Sequence, residues 1–132
     1  MKSLAVTFYS YKGGVGRTLA MLNTAQALVR LRKKVFLWEL DLEAPGLLQI
    51  PQFDSLRPKV TGGTIDILAT PEADLKAQIR QFVLTHSDDL LILPAGPSDA
   101  TYFTRYNQVP WKELFSHDDP KPVGNNLLYA MR

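Results

Sequence analysis

The chain has 132 residues, 45% of them hydrophobic and 21% charged, with a formal net charge of +2. That composition suits one globular core, and the basic excess is too small to argue by itself for nucleic acid or a membrane surface. The absence of cysteine excludes disulfides, thiolate metal sites, iron–sulfur clusters and cysteine nucleophiles. No stretch approaches the roughly 18 apolar residues needed to span a bilayer, and the N-terminal apolar run is too short for a signal peptide. The chain reads as soluble and cytoplasmic, with no transmembrane segment.

Residues 4–9 (Leu-Ala-Val-Thr-Phe-Tyr) are apolar β-formers and predict a strand buried on both faces. Residues 10–16 form a glycine-rich turn. Residues 18–32 predict a helix, with Leu19, Leu22, Ala25, Leu28 and Val29 at helical spacing. Arg30, Arg32, Lys33 and Lys34 place positive charge at its negative end. These cations suit contact with nucleic acid, and a solvated helix end explains them equally well. Arg32 stands where glycine is usual; if the turn is left-handed, a non-glycine residue there costs about 1 kcal/mol. Residues 35–40 predict a second buried strand, ended by Asp41 and then Ala44-Pro45-Gly46. Strand, crossover helix and strand in so short a span make a βαβ unit and imply a parallel sheet.

Beyond this the pattern is weaker. Residues 51–63, with two prolines and a Gly-Gly pair, read as a loop, 64–69 as a short helix and 74–85 as a firmer one. Residues 90–93 read as a third parallel strand, stopped by Pro94-Ala95-Gly96-Pro97. Residues 98–110 have no clear period, 111–115 begin a helix, 118–122 form a loop and 126–132 start another helix.

Lys12-Gly13-Gly14-Val15-Gly16-Arg17-Thr18 lies between the first expected strand and the first helix. Glycines let consecutive backbone N–H groups turn inward as an anion-binding nest, and the helix N-terminus adds unpaired donors. A basic side chain at 17 reaches toward β- and γ-phosphates, and the Thr18 hydroxyl is placed for Mg²⁺. The bland alternative is a glycine-rich turn with no ligand. Asp41 falls at the C-terminal end of a parallel strand, where ligands bind in such sheets; otherwise it is a turn residue before Ala44-Pro45-Gly46. Glu43 is a supporting group or merely exposed.

Residues 12–18 resemble the deviant Walker A motif, KGGxGK[ST], of the ParA/MinD superfamily of P-loop ATPases. The likeness extends over residues 4–48, through Asn23, Ala27 and Glu39-Leu40-Asp41-Leu42-Glu43-Ala44-Pro45-Gly46. The resemblance implies an α/β fold, a parallel sheet flanked by helices in a three-layer P-loop NTPase arrangement. Residues 1–132 would be the N-terminal part of that single domain. It implies ATP and Mg²⁺ as cofactors and ATP hydrolysis as the activity. Lys12 would be the signature lysine that reaches a partner's phosphates across an ATP-dependent homodimer. Gly13, Gly14, Val15 and Gly16 would cradle phosphate, Arg17 would contact it, Thr18 would ligate Mg²⁺, and Asp41 would help place Mg²⁺ and the attacking water. Phosphoryl transfer needs mainly positioning and charge stabilisation, so this short set can suffice.

Arg17 departs from the usual lysine, and its longer, planar fork is not a conservative exchange at a tight phosphate site. A subgroup of the superfamily carries KGGVGR. Tyr11 stands where relatives have glycine or glutamine, and Glu39 replaces an aspartate common in the family, so no catalytic role is carried onto it. The later Walker B strand is not identifiable. The first functional expectation is therefore a nucleotide-dependent dimerisation switch read by a protein partner or cargo. The alternatives are a nucleotide-sensing module with little turnover and a bacterial tyrosine-kinase-like domain, whose usual tyrosine-rich tail is not seen in this chain.

Elsewhere, His86 and His117 are isolated and read as loop or surface residues, and Trp38 reads as core. Tyr102, Phe103, Arg105, Tyr106 and Trp111 pack beneath an irregular loop or form a sticky, nucleic-acid-binding surface.

Overall fold

A computed structural model of the chain describes residues 3–14, 16–70 and 74–114. Within them, helix α1 (Arg17–Arg30) leads to strand β1 (Val35–Trp38). Three single 3-10 turns, at Leu47–Gln49, Pro51–Phe53 and Arg57–Lys59, carry the chain to helices α2 (Thr64–Ala69) and α3 (Leu75–Phe82). Strands β2 (Leu84–Ser87) and β3 (Leu90–Leu93) form a hairpin, and helices α4 (Tyr102–Gln108) and α5 (Trp111–Leu114) follow. The result is a mixed α/β structure around one small open sheet.

The sheet order is β1-β3-β2. β1 and β3 are parallel, with Val35 opposite Leu90 and Trp38 opposite Leu93, as the apolar runs at 35–40 and 90–93 predict. β2 is antiparallel to β3 and irregular between Thr85 and Ser87, so the sheet is not purely parallel. The helix expected over 74–85 is correspondingly shorter. Asp74 caps α3, its Oδ1 accepting from the Lys76 and Ala77 amides, but the chain turns extended at Val83. Val83 and Thr85 are β-branched and favour the pleated strand, and the Asp88-Asp89 pair supplies a two-residue hairpin turn.

The larger correction concerns residues 4–9. They form no strand and join no sheet: Leu4 is 88% exposed, Val6 60% and Tyr9 79%. Local β-propensity describes what fits a half-buried pleated surface but does not supply a pairing partner. The βαβ unit is therefore represented by its second half, α1 followed by β1, and the parallel neighbour of β1 is β3.

The main core forms where α1 and the 3-10 turns cover one face of the sheet. Leu22, Ala25, Leu37, Leu47, Phe53, Leu56, Leu90 and Ile92 are all buried there. On the opposite face Phe36 and Leu91, directly paired, stay 43% and 39% exposed, so a third layer does not cover that end of the sheet among the described residues. A second core joins Ile65 and Leu68 of α2 to Ala95, Tyr102, Val109 and Leu114. Residues 98–110, without a period in sequence, are ordered by this cluster: Tyr102 is buried, while Phe103 is 65% exposed. Arg105 reaches back to Asp66 at 2.9 Å, and Tyr106 stacks on Trp111 with centroids 4.9 Å apart, so packing rather than an open aromatic surface holds most of this segment. No described helix is long and apolar enough to cross a membrane. The expectations for residues 118–122 and 126–132, and His117, lie outside the described residues.

α1 ends at Arg30, two residues short of the expected end at 32. The Lys33 amide donates to Leu28 O and the Arg32 amide to Val29 O, a paired closure with Arg32 at φ 59° in the left-handed region. Trp38 is half-buried at the end of β1, and His86 is exposed with its ring edge-on to Phe53.

Candidate functional site

The C-terminal ends of β1 and β3 converge on one edge of the sheet, and the first turn of α1 meets them there. Arg17 Nη2 donates to Asp41 Oδ2 at 2.8 Å, with each side chain about one-third exposed (31% and 33%). The two residues are 24 positions apart, joined because α1 runs back along β1 and returns its start to the strand's end. Asp41 Oδ1 also accepts from the Ala44 amide at 3.3 Å, which folds the 41–44 turn around the carboxylate. A Cβ built on Gly46 would lie 3.7 Å from Thr18 Oγ1, so that turn also abuts the threonine. The structure thus brings together Arg17, Thr18 and Asp41.

The glycine loop precedes them. Gly14 (φ 71°) and Gly16 (φ 79°) are left-handed, which accounts for glycine at both positions. A Cβ at Gly13, Gly14 or Gly16 would meet nothing within 4 Å, so the loop's backbone is open to approach. Gly16 caps α1 without a side-chain hydrogen bond, and no acidic residue occupies the first turn. The early amides of α1 thus have no side-chain acceptor there. At α2, by contrast, the Thr64 and Ile65 amides donate to Pro94 O and Ala95 O, and Asp66 Oδ2 accepts from Gly63 N–H. Lys12 is exposed, as is Tyr11 at 93%, and the Ser10 hydroxyl donates to Lys12 O. Val15 lies outside the described residues.

The donor set suits phosphate with a hard cation. Glycine-loop amides and guanidinium favour an anion, while a hydroxyl and a carboxylate match the oxygen preference of Mg²⁺. Among the described residues, no three or more His, Cys, Asp and Glu gather as a self-sufficient metal site. Mg²⁺ held by one or two protein oxygens together with phosphate oxygens requires no such cluster.

Two groups named in the sequence take roles that only the structure shows. Glu39 is buried, 6% exposed, and its carboxylate takes three backbone N–H bonds: Gly46 and Leu47 on Oε1, both at 2.7 Å, and Ala95 on Oε2 at 3.1 Å. Burial pushes its pKa up; the three amides oppose that shift, and the nearby Asp41 charge adds to it. The signal in sequence was a lone acid inside an apolar strand, since a buried charge demands partners. Tyr102, on α4, donates from its hydroxyl to Leu42 O at 2.8 Å. Its pKa is pushed up to about 12, first by burial and then by the negative charge of Glu39 and the surrounding ionisable groups. Fully buried Thr64 completes the arrangement: it accepts from Trp38 Nε1 at 3.0 Å, and its hydroxyl faces Glu39 O at 2.9 Å and Pro94 O at 3.2 Å.

Compared with protein-family models, curated proteins and solved structures, the chain shows no significant match.

Proposed function

We propose that this chain binds ATP with Mg²⁺ through residues 12–18 and Asp41, and that nucleotide occupancy works as a dimerisation switch of the ParA/MinD kind. The supporting observation is the meeting of Arg17 with Asp41 beside Thr18 at the C-terminal edge of β1. That edge is where ligands sit in parallel α/β arrangements. In this reading the amides of Gly13, Gly14, Val15 and Gly16 and of the first turn of α1 hold phosphate oxygens. Arg17 swings from Asp41 to the phosphates, and its planar fork suits them geometrically. Asp41, relieved of its partner, and Thr18 are then free to hold the cation. Mg²⁺, when bound with the nucleotide, would neutralise charge on the transferring phosphoryl group. Asp41 would orient the attacking water, and exposed Lys12 would reach the phosphates of a second copy.

A second reading, nucleotide sensing with little turnover, draws on Arg17 itself: a longer, planar guanidinium in place of the usual lysine is not a conservative exchange at a tight phosphate site. Turnover of the native chain beside Arg17→Lys separates the two, and ready hydrolysis by the native chain removes the sensor.

Calorimetric titration with ATP, with and without Mg²⁺, tests the proposal. Saturable binding that tightens with Mg²⁺ is expected, with dimerisation followed by light scattering. Absence of saturable binding to the chain, and to a longer chain carrying it, would overturn the proposal.

A further inference from the structure

We infer that Glu39 is a positioning residue for the cation half of this site, an inference that rests on the nucleotide-binding reading above. All of its polar groups are engaged. Its amide donates to Leu93 O at 3.0 Å and its carbonyl oxygen lies 2.9 Å from the Thr64 hydroxyl, which fixes the backbone at the end of β1. Its carboxylate then spans the gap to Gly46 and Leu47 on one side and Ala95 on the other. Residues 40–45 consequently form a short loop held at its near end by the Glu39 backbone and at its far end by the Glu39 carboxylate, and Asp41 lies inside it.

Pinning the far end matters because of what stands there. Gly46 abuts the Thr18 hydroxyl, so the carboxylate that closes the loop also sets it against the first turn of α1. The two proposed cation ligands come from different elements, Thr18 from α1 and Asp41 from the loop after β1. Glu39 is not itself a proposed cation ligand, yet its bonds to Gly46 and Leu47 set where the loop carrying Asp41 lies relative to Thr18.

The chemistry of the clamp requires a carboxylate of this length. Three N–H donors converge on two oxygens, which an ionised carboxylate can accept together. In Glu39→Gln the amide oxygen can keep Gly46 and Leu47, but the NH₂ group then faces the Ala95 N–H, donor against donor. Glu39→Asp keeps the charge, but its shorter stem cannot reach both sides.

The test is calorimetric titration of the whole chain with ATP, in EDTA and in Mg²⁺, for the native protein, Glu39→Gln, Asp41→Asn and the double variant. The readout is the factor by which Mg²⁺ tightens ATP binding. Glu39→Gln is expected to cut that factor by about tenfold. In the Asp41→Asn background it is expected to change the factor no further, because it acts through Asp41, whereas general loosening of the fold would add to the loss. A native-like Mg²⁺ factor in Glu39→Gln overturns the inference alone, and so does full additivity with Asp41→Asn. A native chain without saturable ATP binding overturns the functional reading and this inference with it. Should Glu39→Gln fail to fold by circular dichroism, Glu39→Asp replaces it: a reduced Mg²⁺ factor supports the role and an unchanged one overturns it.

Discussion

Arg17 and Asp41 hold each other at 2.8 Å beside the glycine loop, both still partly open to solvent. In the proposed function one is the phosphate's cation and the other the metal's carboxylate. Their pairing makes anion and cation binding interdependent: phosphate must draw Arg17 away before Asp41 is available. Because both side chains are about a third exposed, the pair is worth no more than about 1 kcal/mol. It is a weak latch, suited to release.

Asp41→Asn tests that latch. With the carboxylate charge removed, ATP affinity in EDTA is expected to rise by up to about fivefold, the equivalent of the lost ion pair. The tightening produced by Mg²⁺ is expected to fall at the same time. Weaker ATP binding in EDTA would mean that Asp41 does not compete with phosphate for Arg17.

Arg32 offers a test independent of function. A non-glycine residue at φ 59° carries left-handed strain, and the two closing hydrogen bonds from Arg32 and Lys33 are backbone interactions that glycine would retain. Arg32→Gly is expected to stabilise the chain by about 0.5–1 kcal/mol after the entropy of an added glycine is set against the relieved strain. Thermal unfolding should shift upward by a few degrees; a downward shift would show that the left-handed turn is not formed.

Tyr102 gives the pH dependence a definite sign. Its folded pKa, about 12, lies above the ordinary 10.0, so the folded state favours the neutral phenol. The resulting stability is fully present below pH 10 and is lost as pH rises through about 12. Urea midpoints recorded across this range should fall for the native chain. In Tyr102→Phe that part of the decline should disappear, with stability at neutral pH reduced by about 1 kcal/mol for the missing bond to Leu42 O.

Val6 decides between the strand expected from sequence and the exposed segment observed. At 60% exposure, Val6→Ser should change stability by less than about 0.5 kcal/mol, and the amides of residues 4–9 should exchange rapidly with deuterium. A side chain buried on both faces of a sheet would instead cost roughly 1.5–3 kcal/mol to replace. Chemical denaturation distinguishes the two without reference to any ligand.

The glycine-rich turn and the helix after it were legible because they are local features. Gly13, Gly14 and Gly16 mark a turn, and Arg17 and Thr18 follow at the start of a helix whose Leu22 and Ala25 are buried. β1 and β3 were legible for a similar reason: continuous apolar runs bounded by Asp41 on one side and Pro94 on the other leave few alternatives. A helix end near Arg32 was legible too, but whether its turn is left-handed was open in sequence and is decided by the structure.

What the sequence could not determine is pairing. Residues 4–9 have the composition of a strand, but joining a sheet depends on a partner edge contributed by distant residues, and here they remain outside it. β2 was hidden within an apparent helix because β3, the partner that pairs with Leu84 and Thr85, lies further along the chain. Glu39 looked like a substitution at a familiar position; only the folded chain brings the amides of Gly46, Leu47 and Ala95 to its carboxylate. Backbone conformation and side-chain chemistry are properties of neighbouring residues and are written into local sequence. Strand partners and buried-charge partners are contributed by residues far along the chain, so tertiary structure alone decides them.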